Sequence, residues 1–137
     1  MGKHGHMTSL TPQQLAESKE RLAARRSSLQ AEIRARLLRA DDEQYAELAG
    51  RVHDEAEASV ADLLADLSLA HIDHWVVELK SVETALLRME MGDYGVCVQC
   101  GDAIDPRRLD AYPTAERCFV CQSMYEKTHA QLGRPTL

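Results

Sequence analysis

All four cysteines of this 137-residue chain lie between Cys97 and Cys121. They form two Cys-x-x-Cys pairs, Cys97/Cys100 and Cys118/Cys121, with seventeen residues between the pairs. Zinc takes four ligands in a tetrahedron, and thiolate is its preferred soft donor. Two intervening residues let both sulfurs of a pair reach one ion from a tight turn. Gly101, just after Cys100, suits the left-handed backbone of such a turn. The spacer is long enough to fold back, and Pro106 and Pro113 stiffen its return. The pattern predicts one structural zinc on Cys97, Cys100, Cys118 and Cys121, with no open position for substrate. The plainer alternatives are two disulfides or four free thiols. A thioredoxin-like redox pair fits worse, because no strand-helix-strand pattern surrounds either pair.

Other constellations are weaker. His53-Asp54-Glu55 followed by a Cys-x-x-Cys is the ingredient set of a zinc deaminase, in which the glutamate shuttles protons. Here Val96 stands where that pattern has proline, and the second cysteine pair would have no role. His71 and His74 could bind a metal, but no third ligand is near in sequence. His71 therefore reads as a core-edge residue and His74 as a solvated one. No Ser/His/Asp set or phosphate-cradling glycine loop is present. The chain is not expected to be an enzyme.

The elements that must position the thiols are helical. One Trp, one Phe and four Tyr are too few for a broad aromatic core. Ala and Leu dominate the apolar content, and both favour helix. Residues Met1 to Leu10 show no periodicity and are expected to be a disordered leader. Thr11-Pro12 reads as a helix start. Leu15, Leu22, Leu29, Ile33 and Leu37 then form a narrow stripe on a helix ending near Arg39. Asp41-Asp42 could cap a further short helix through Leu48, and Gly50 reads as a break. A second long helix is expected from between Asp54 and Ser59 to Met91, with Gly92 as its left-handed stop. Its stripe is Val60, Leu64, Leu67, His71, Trp75, Leu79, Val82, Leu86 and Met89.

A helix that long with one narrow stripe needs a partner. The fold class is therefore mostly α: an antiparallel coiled-coil hairpin over 11–92 with its tip at about 40–58. A small four-cysteine finger over 93–137 comes next, carrying a C-terminal helix from about Phe119 to Gln131. The hairpin implies a monomer, although the stripe could serve a dimer instead.

Net charge is −6. Residues 15–40 carry seven basic and three acidic side chains, and residues 41–94 carry three basic and fourteen acidic. Antiparallel arms of opposite charge attract. The last 43 residues hold five of each sign. That balance argues against a GATA-type DNA-binding finger, since phosphate contacts need a basic excess. No apolar run approaches the ~20 residues of a membrane span, and no apolar stretch resembles a secretory signal. A soluble, cytoplasmic protein with reduced thiols is expected.

The stretch GDYGVCVQCGDAIDPRRLDAYPTAERCFVCQ, Gly92 to Gln122, resembles the DksA/TraR family of bacterial zinc-finger transcription regulators. Gly95, the four cysteines, Gly101, Ile104, Arg108-Leu109, Ala111 and Pro113-Thr114-Ala115 carry the likeness. The resemblance implies binding to RNA polymerase, with the hairpin entering the enzyme's secondary channel and tip carboxylates approaching its active centre. The family tip pattern, Asp-x-x-Asp-x-Ala, falls on Asp54, Glu57 and Ser59 by gapless counting. Asp54 matches, Glu57 keeps the carboxylate on a longer arm, and Ser59 departs. Arg107 and Arg108 are further candidate polymerase contacts. The basic positions that bind the alarmone ppGpp in DksA proper fall on Ser81, Tyr112 and Gln122, which implies weak ppGpp dependence. An adaptor that kept the fold and lost tip activity is the remaining alternative.

Overall fold

Thr11 and Gln14 start the first helix by capping each other. The Thr11 hydroxyl accepts the Gln14 N–H at 3.0 Å, and the Gln14 side-chain oxygen accepts the Thr11 N–H at 2.9 Å. This reciprocal pair satisfies two N–H groups that a helix start leaves without partners. In the computed structural model, which describes residues 9–39, 43–54, 59–65 and 72–132, helix α1 runs Pro12–Arg39. Leu22, Leu29, Ile33 and Leu37 are buried along one face, as the stripe predicts. Helix α2 is Glu43–Asp54, α3 is Val60–Ala65, α4 is Asp73–Met91, α5 is Pro106–Ala111 and α6 is Phe119–Leu132. Among the described residues the only β feature is an isolated bridge, Val96 to Ala103. None of these helices is long and apolar enough to cross a membrane.

The chain divides into two compact units. One is Lys19–Leu87; the other joins the residues up to Ser18 with those from Arg88 onward. In the first unit α1 and α4 are the two arms of the hairpin. Arg25 donates two hydrogen bonds to Glu78, at 2.5 and 2.6 Å. Further along α1, Arg36 lies over the Trp75 ring at 4.7 Å. Position rises on α1 as it falls on α4, so the arms are antiparallel. A basic arm meets an acidic arm, as the charge pattern anticipates.

Two expectations about the second arm are corrected. The single helix expected to reach Met91 from the Asp54–Ser59 region is divided into α3 and α4. Ser59 caps α3 by accepting the Asp62 N–H at 3.0 Å. The same hydroxyl donates to Glu83 at 2.7 Å, and Glu83 accepts the Val60 N–H at 3.1 Å. Lys80 meets Asp62 at 2.8 Å. In one unbroken helix Ser59 and Glu83 would stand about 36 Å apart. Their contact means that α3 lies antiparallel to α4. Second, Gly50 does not break the chain but sits inside α2. Beyond its chain neighbours and the backbone of its own helix, no heavy atom lies within 4 Å of where a Cβ would be, so the helix bears only the ~1 kcal/mol propensity cost of glycine. Leu67 and His71 lie outside the described residues.

The core of this unit is the buried set Leu29, Ile33, Leu37, Val52, Val60, Leu64, Ile72, Leu79 and Val82. Hydrogen bonds from Arg25 hold the Glu78 carboxyl below its ordinary range, against an opposing push from burial. A depressed carboxyl stabilises at neutral pH and loses that contribution as pH falls through its folded value. Both side chains are nearly half exposed, so solvent screening keeps the pair below about 1 kcal/mol. Leu79→Ala is expected to destabilise the Lys19–Leu87 unit by about 2–5 kcal/mol and Arg25→Ala by less than about 1 kcal/mol. Urea unfolding followed by helix circular dichroism checks the ranking; equal effects contradict it.

Candidate metal centre

The first thiol pair is set by the end of α4. Gly92 adopts φ 81°. The Asp93 N–H reaches the Arg88 carbonyl at 2.8 Å, and the Gly92 N–H reaches that of Met89 at 3.2 Å. This pair of hydrogen bonds to the last turn is the Schellman stop, so the sequence reading of Gly92 holds. The Arg88 side chain then ties down the loop after the helix, donating to the carbonyls of Asp93, at 2.9 Å, and Val96. The chain makes a small knuckle. The Cys97 N–H bonds to Asp102 O at 2.8 Å, the Gly101 N–H to Cys97 O at 3.0 Å, and the Ile104 N–H to Gly95 O at 2.8 Å. Gly101 is at φ 80°, the left-handed conformation the spacing demanded.

The spacer returns by a short helix. Asp105 caps α5 by accepting the Arg107 N–H at 2.9 Å, and Pro106 takes the first turn, where a missing N–H costs nothing. Leu109 and Ile104 are fully buried, and Tyr94 and Val96 are buried in the same unit. The Tyr94 hydroxyl donates to Pro113 O at 2.7 Å. The Val98 N–H bonds to Glu116 O at 2.9 Å, joining the first knuckle to the approach of the second. Cys118 then leads into α6, with the Gln122 N–H on its carbonyl at 2.9 Å.

The result is convergence. The four sulfurs of Cys97, Cys100, Cys118 and Cys121 all lie within 4.8 Å of one another. Cys100 and Cys118 are 3.9 Å apart, and none of the four is in a disulfide, which would need about 2.0 Å. A tetrahedron with Zn–S bonds of ~2.3 Å has edges of about 3.8 Å, so the donor set fits one zinc ion. The thiols are uneven partners. Burial pushes the Cys97 thiol up, but N–H groups of Cys100, Cys118 and Gln99 outweigh it and bring it to about 6. Cys121, bonded to the Cys118 thiol and partly desolvated, is pushed up to about 12. A single dication accepts all four as thiolates and removes that competition. With four protein ligands the sphere is closed, as in a structural zinc site.

The other candidate residues are scattered. Asp54 is the last residue of α2, and Glu57 lies outside the described residues. Ser59 is half-buried and serves the α3 cap and Glu83; alanine at this position could make neither bond. The Arg107 side chain is 91% exposed and pairs with Asp105 at 3.0 Å. Arg108 is half-buried and structural, donating to Arg117 O at 3.0 Å and lying over the Tyr112 ring at 5.8 Å. Ser81, Tyr112 and Gln122 bring no cation; Ser81 bonds Val77 O and Gln122 bonds Glu126. The sequence reading missed Arg88, Glu83 and the Asp105 cap. Asp-Pro is a helix-start signal for α5, whereas nothing in the sequence links Glu83 to Ser59.

Comparison with known proteins agrees with this geometry. The family model described as the prokaryotic dksA/traR C4-type zinc finger matches residues 92–127. The RNA polymerase-binding transcription factor DksA of Escherichia coli strain K12 is 30% identical over 120 residues, covering 88% of this chain and 76% of that protein. The protein of the same name from Caulobacter vibrioides is 29% identical over 120 residues, covering 86% and 80%. The structure of transcription factor DksA2 from Pseudomonas aeruginosa superposes with a TM-score of 0.57 at 29% identity, covering 87% and 88%.

Zinc should be present at one ion per chain by elemental analysis. Because its ligands must be deprotonated, bound zinc is expected to fall as pH is lowered. Cys118→Ser should cost the ion and the protease resistance of the finger while the Lys19–Leu87 helices persist. A full zinc complement in that variant contradicts the ligand set.

Proposed function

The chain belongs to the DksA/TraR family of C4-type zinc-finger proteins, and from that membership we propose that it is a non-enzymatic transcription regulator that binds RNA polymerase. One observation carries the reading. Similarity to polymerase-binding relatives runs through 120 residues, helical arms included, well beyond the 92–127 finger. A DNA-binding finger of similar cysteine spacing would have no need of the hairpin.

At finer grain, the hairpin enters the secondary channel of the polymerase, and Asp54 and Glu57 are the effector carboxylates. They act through charge at close range, on the active-site metal or a basic loop, where separation and a low dielectric set the strength. The zinc centre holds the finger in shape. Of the two finger arginines, Arg107 is the better contact for an acidic polymerase surface, since Arg108 is already committed to Arg117 and Tyr112. The protein works as a cytoplasmic monomer, one per polymerase, without sequence-specific DNA contacts.

A pull-down of core RNA polymerase tests this directly. The wild type and Asp54→Asn/Glu57→Gln are both expected to bind, and only the wild type to change promoter-complex lifetime. Failure of the wild type to bind ends the proposal. Lacking cations at positions 81, 112 and 122, the protein should respond to ppGpp by less than about twofold at a ribosomal promoter, because phosphate charge needs cationic partners. Strong joint inhibition contradicts that expectation.

A further inference from the structure

Glu83 holds two groups that are far away in sequence. Its carboxylate accepts the Ser59 hydroxyl and the Val60 N–H, at 2.7 and 3.1 Å. It thus completes the cap of α3 from the neighbouring helix. Lys80 and Asp62, one turn along, add a second bridge at 2.8 Å. Beneath these contacts Val60, Ala61 and Leu64 are buried.

The same residues are patterned for another arrangement. Val60 and Leu64 continue, at spacings of three and four, into Leu67, His71, Trp75, Leu79 and Val82. That is the stripe of one continuous helix. Val60, Leu64, Leu79 and Val82 are buried with α3 folded back on α4, and the same spacing would equally suit α3 extending the α4 axis. The two packings differ in where Ser59 lies. Folded back, it sits beside Glu83, about 15 Å along α4 from the helix start at Asp73. Extended, it would reach about 21 Å beyond Asp73 in the opposite direction. The acidic run that precedes Ser59 would travel with it.

We propose that the Ser59–Glu83 clasp holds this chain in a withdrawn state, and that polymerase engages the extended state in which α3 has left α4. The consequence for polymerase rests on the function proposed above; the clasp itself does not. Two packings of one sequence that differ by a few polar contacts form a bistable element that a partner can bias. Each of the two bonds to Glu83, from the Ser59 hydroxyl and the Val60 N–H, contributes about a fivefold bias toward the withdrawn form, the usual net effect of one hydrogen bond.

The test is a distance measurement on the full zinc-loaded protein. Spin labels on non-cysteine unnatural residues at positions 62 and 81 leave the zinc thiols untouched; the label at 62 removes the Lys80–Asp62 bridge from every sample alike, so the comparison isolates Ser59 and Glu83. Withdrawn, the labels lie at helix-packing distance, about 10 Å between axes; extended, the positions are about 28 Å apart. Ser59→Ala/Glu83→Ala should enrich the long distance by about tenfold or more, and Glu83→Gln, which keeps an acceptor, by less. Adding core polymerase should enrich it in the wild type, and the double variant should reach half-maximal promoter effect at a lower concentration. A short distance alone in every sample, polymerase included, overturns the proposal. Should the double variant lose its helix signal, the wild type with and without polymerase decides by the same criterion. If the distance lengthens in the variant while no form binds polymerase, the clasp stands and the polymerase reading is what fails.

Discussion

Four sulfurs gathered within bonding range of a single cation are the constraint on which the finger depends. The apolar core of that unit is small, with Tyr94, Val96, Ile104 and Leu109 buried along with Cys97. A fragment of this size buries too little apolar surface to offset the entropy of ordering its backbone. Metal binding supplies the difference, because the site exists only in the folded chain. The surrounding hydrogen bonds then have a single purpose, which is to present the two knuckles at the right separation. Gly95, Gly101 and the Asp105 cap act on backbone direction, and Arg88 and Tyr94 anchor the loop segments to their neighbours.

Four thiols fill the coordination sphere of one zinc ion, so the part this centre plays in the molecule is structural. The molecule's charge is already sorted along the sequence, with a basic first arm and an acidic second. Arg25 on Glu78 and Arg36 on Trp75 turn that sorting into register between the arms. Neither contact contributes much stability at the surface. Their value lies in selecting one antiparallel alignment from several that the apolar stripe alone would accept.

The second arm shows how a stripe can underdetermine a fold. Apolar residues at spacings of three and four demand only that one helix face be covered. Either the opposite arm or a neighbouring helix of the same arm can cover it. Polar groups break the tie here. Ser59 and Val60 present donors at the α3 start, and Glu83 presents two acceptor oxygens where those donors arrive. An alanine at position 59 would leave the stripe intact and remove half of that recognition.

Much of the molecule is legible from residue types and spacing. The four zinc ligands, the left-handed turns at Gly92 and Gly101, the capped start at Thr11 and the helical character of the arms are local properties. Each depends on a few neighbouring residues and the geometry of one turn. The short helix after Asp105 is signalled as well, by Asp-Pro at its start. The division of the second arm, the passage of α2 through Gly50 and the pairing of Ser59 with Glu83 are not legible. They depend on which covered arrangement of the same stripe leaves fewer polar groups unsatisfied. That comparison involves residues 24 positions apart, so only the tertiary structure decides it.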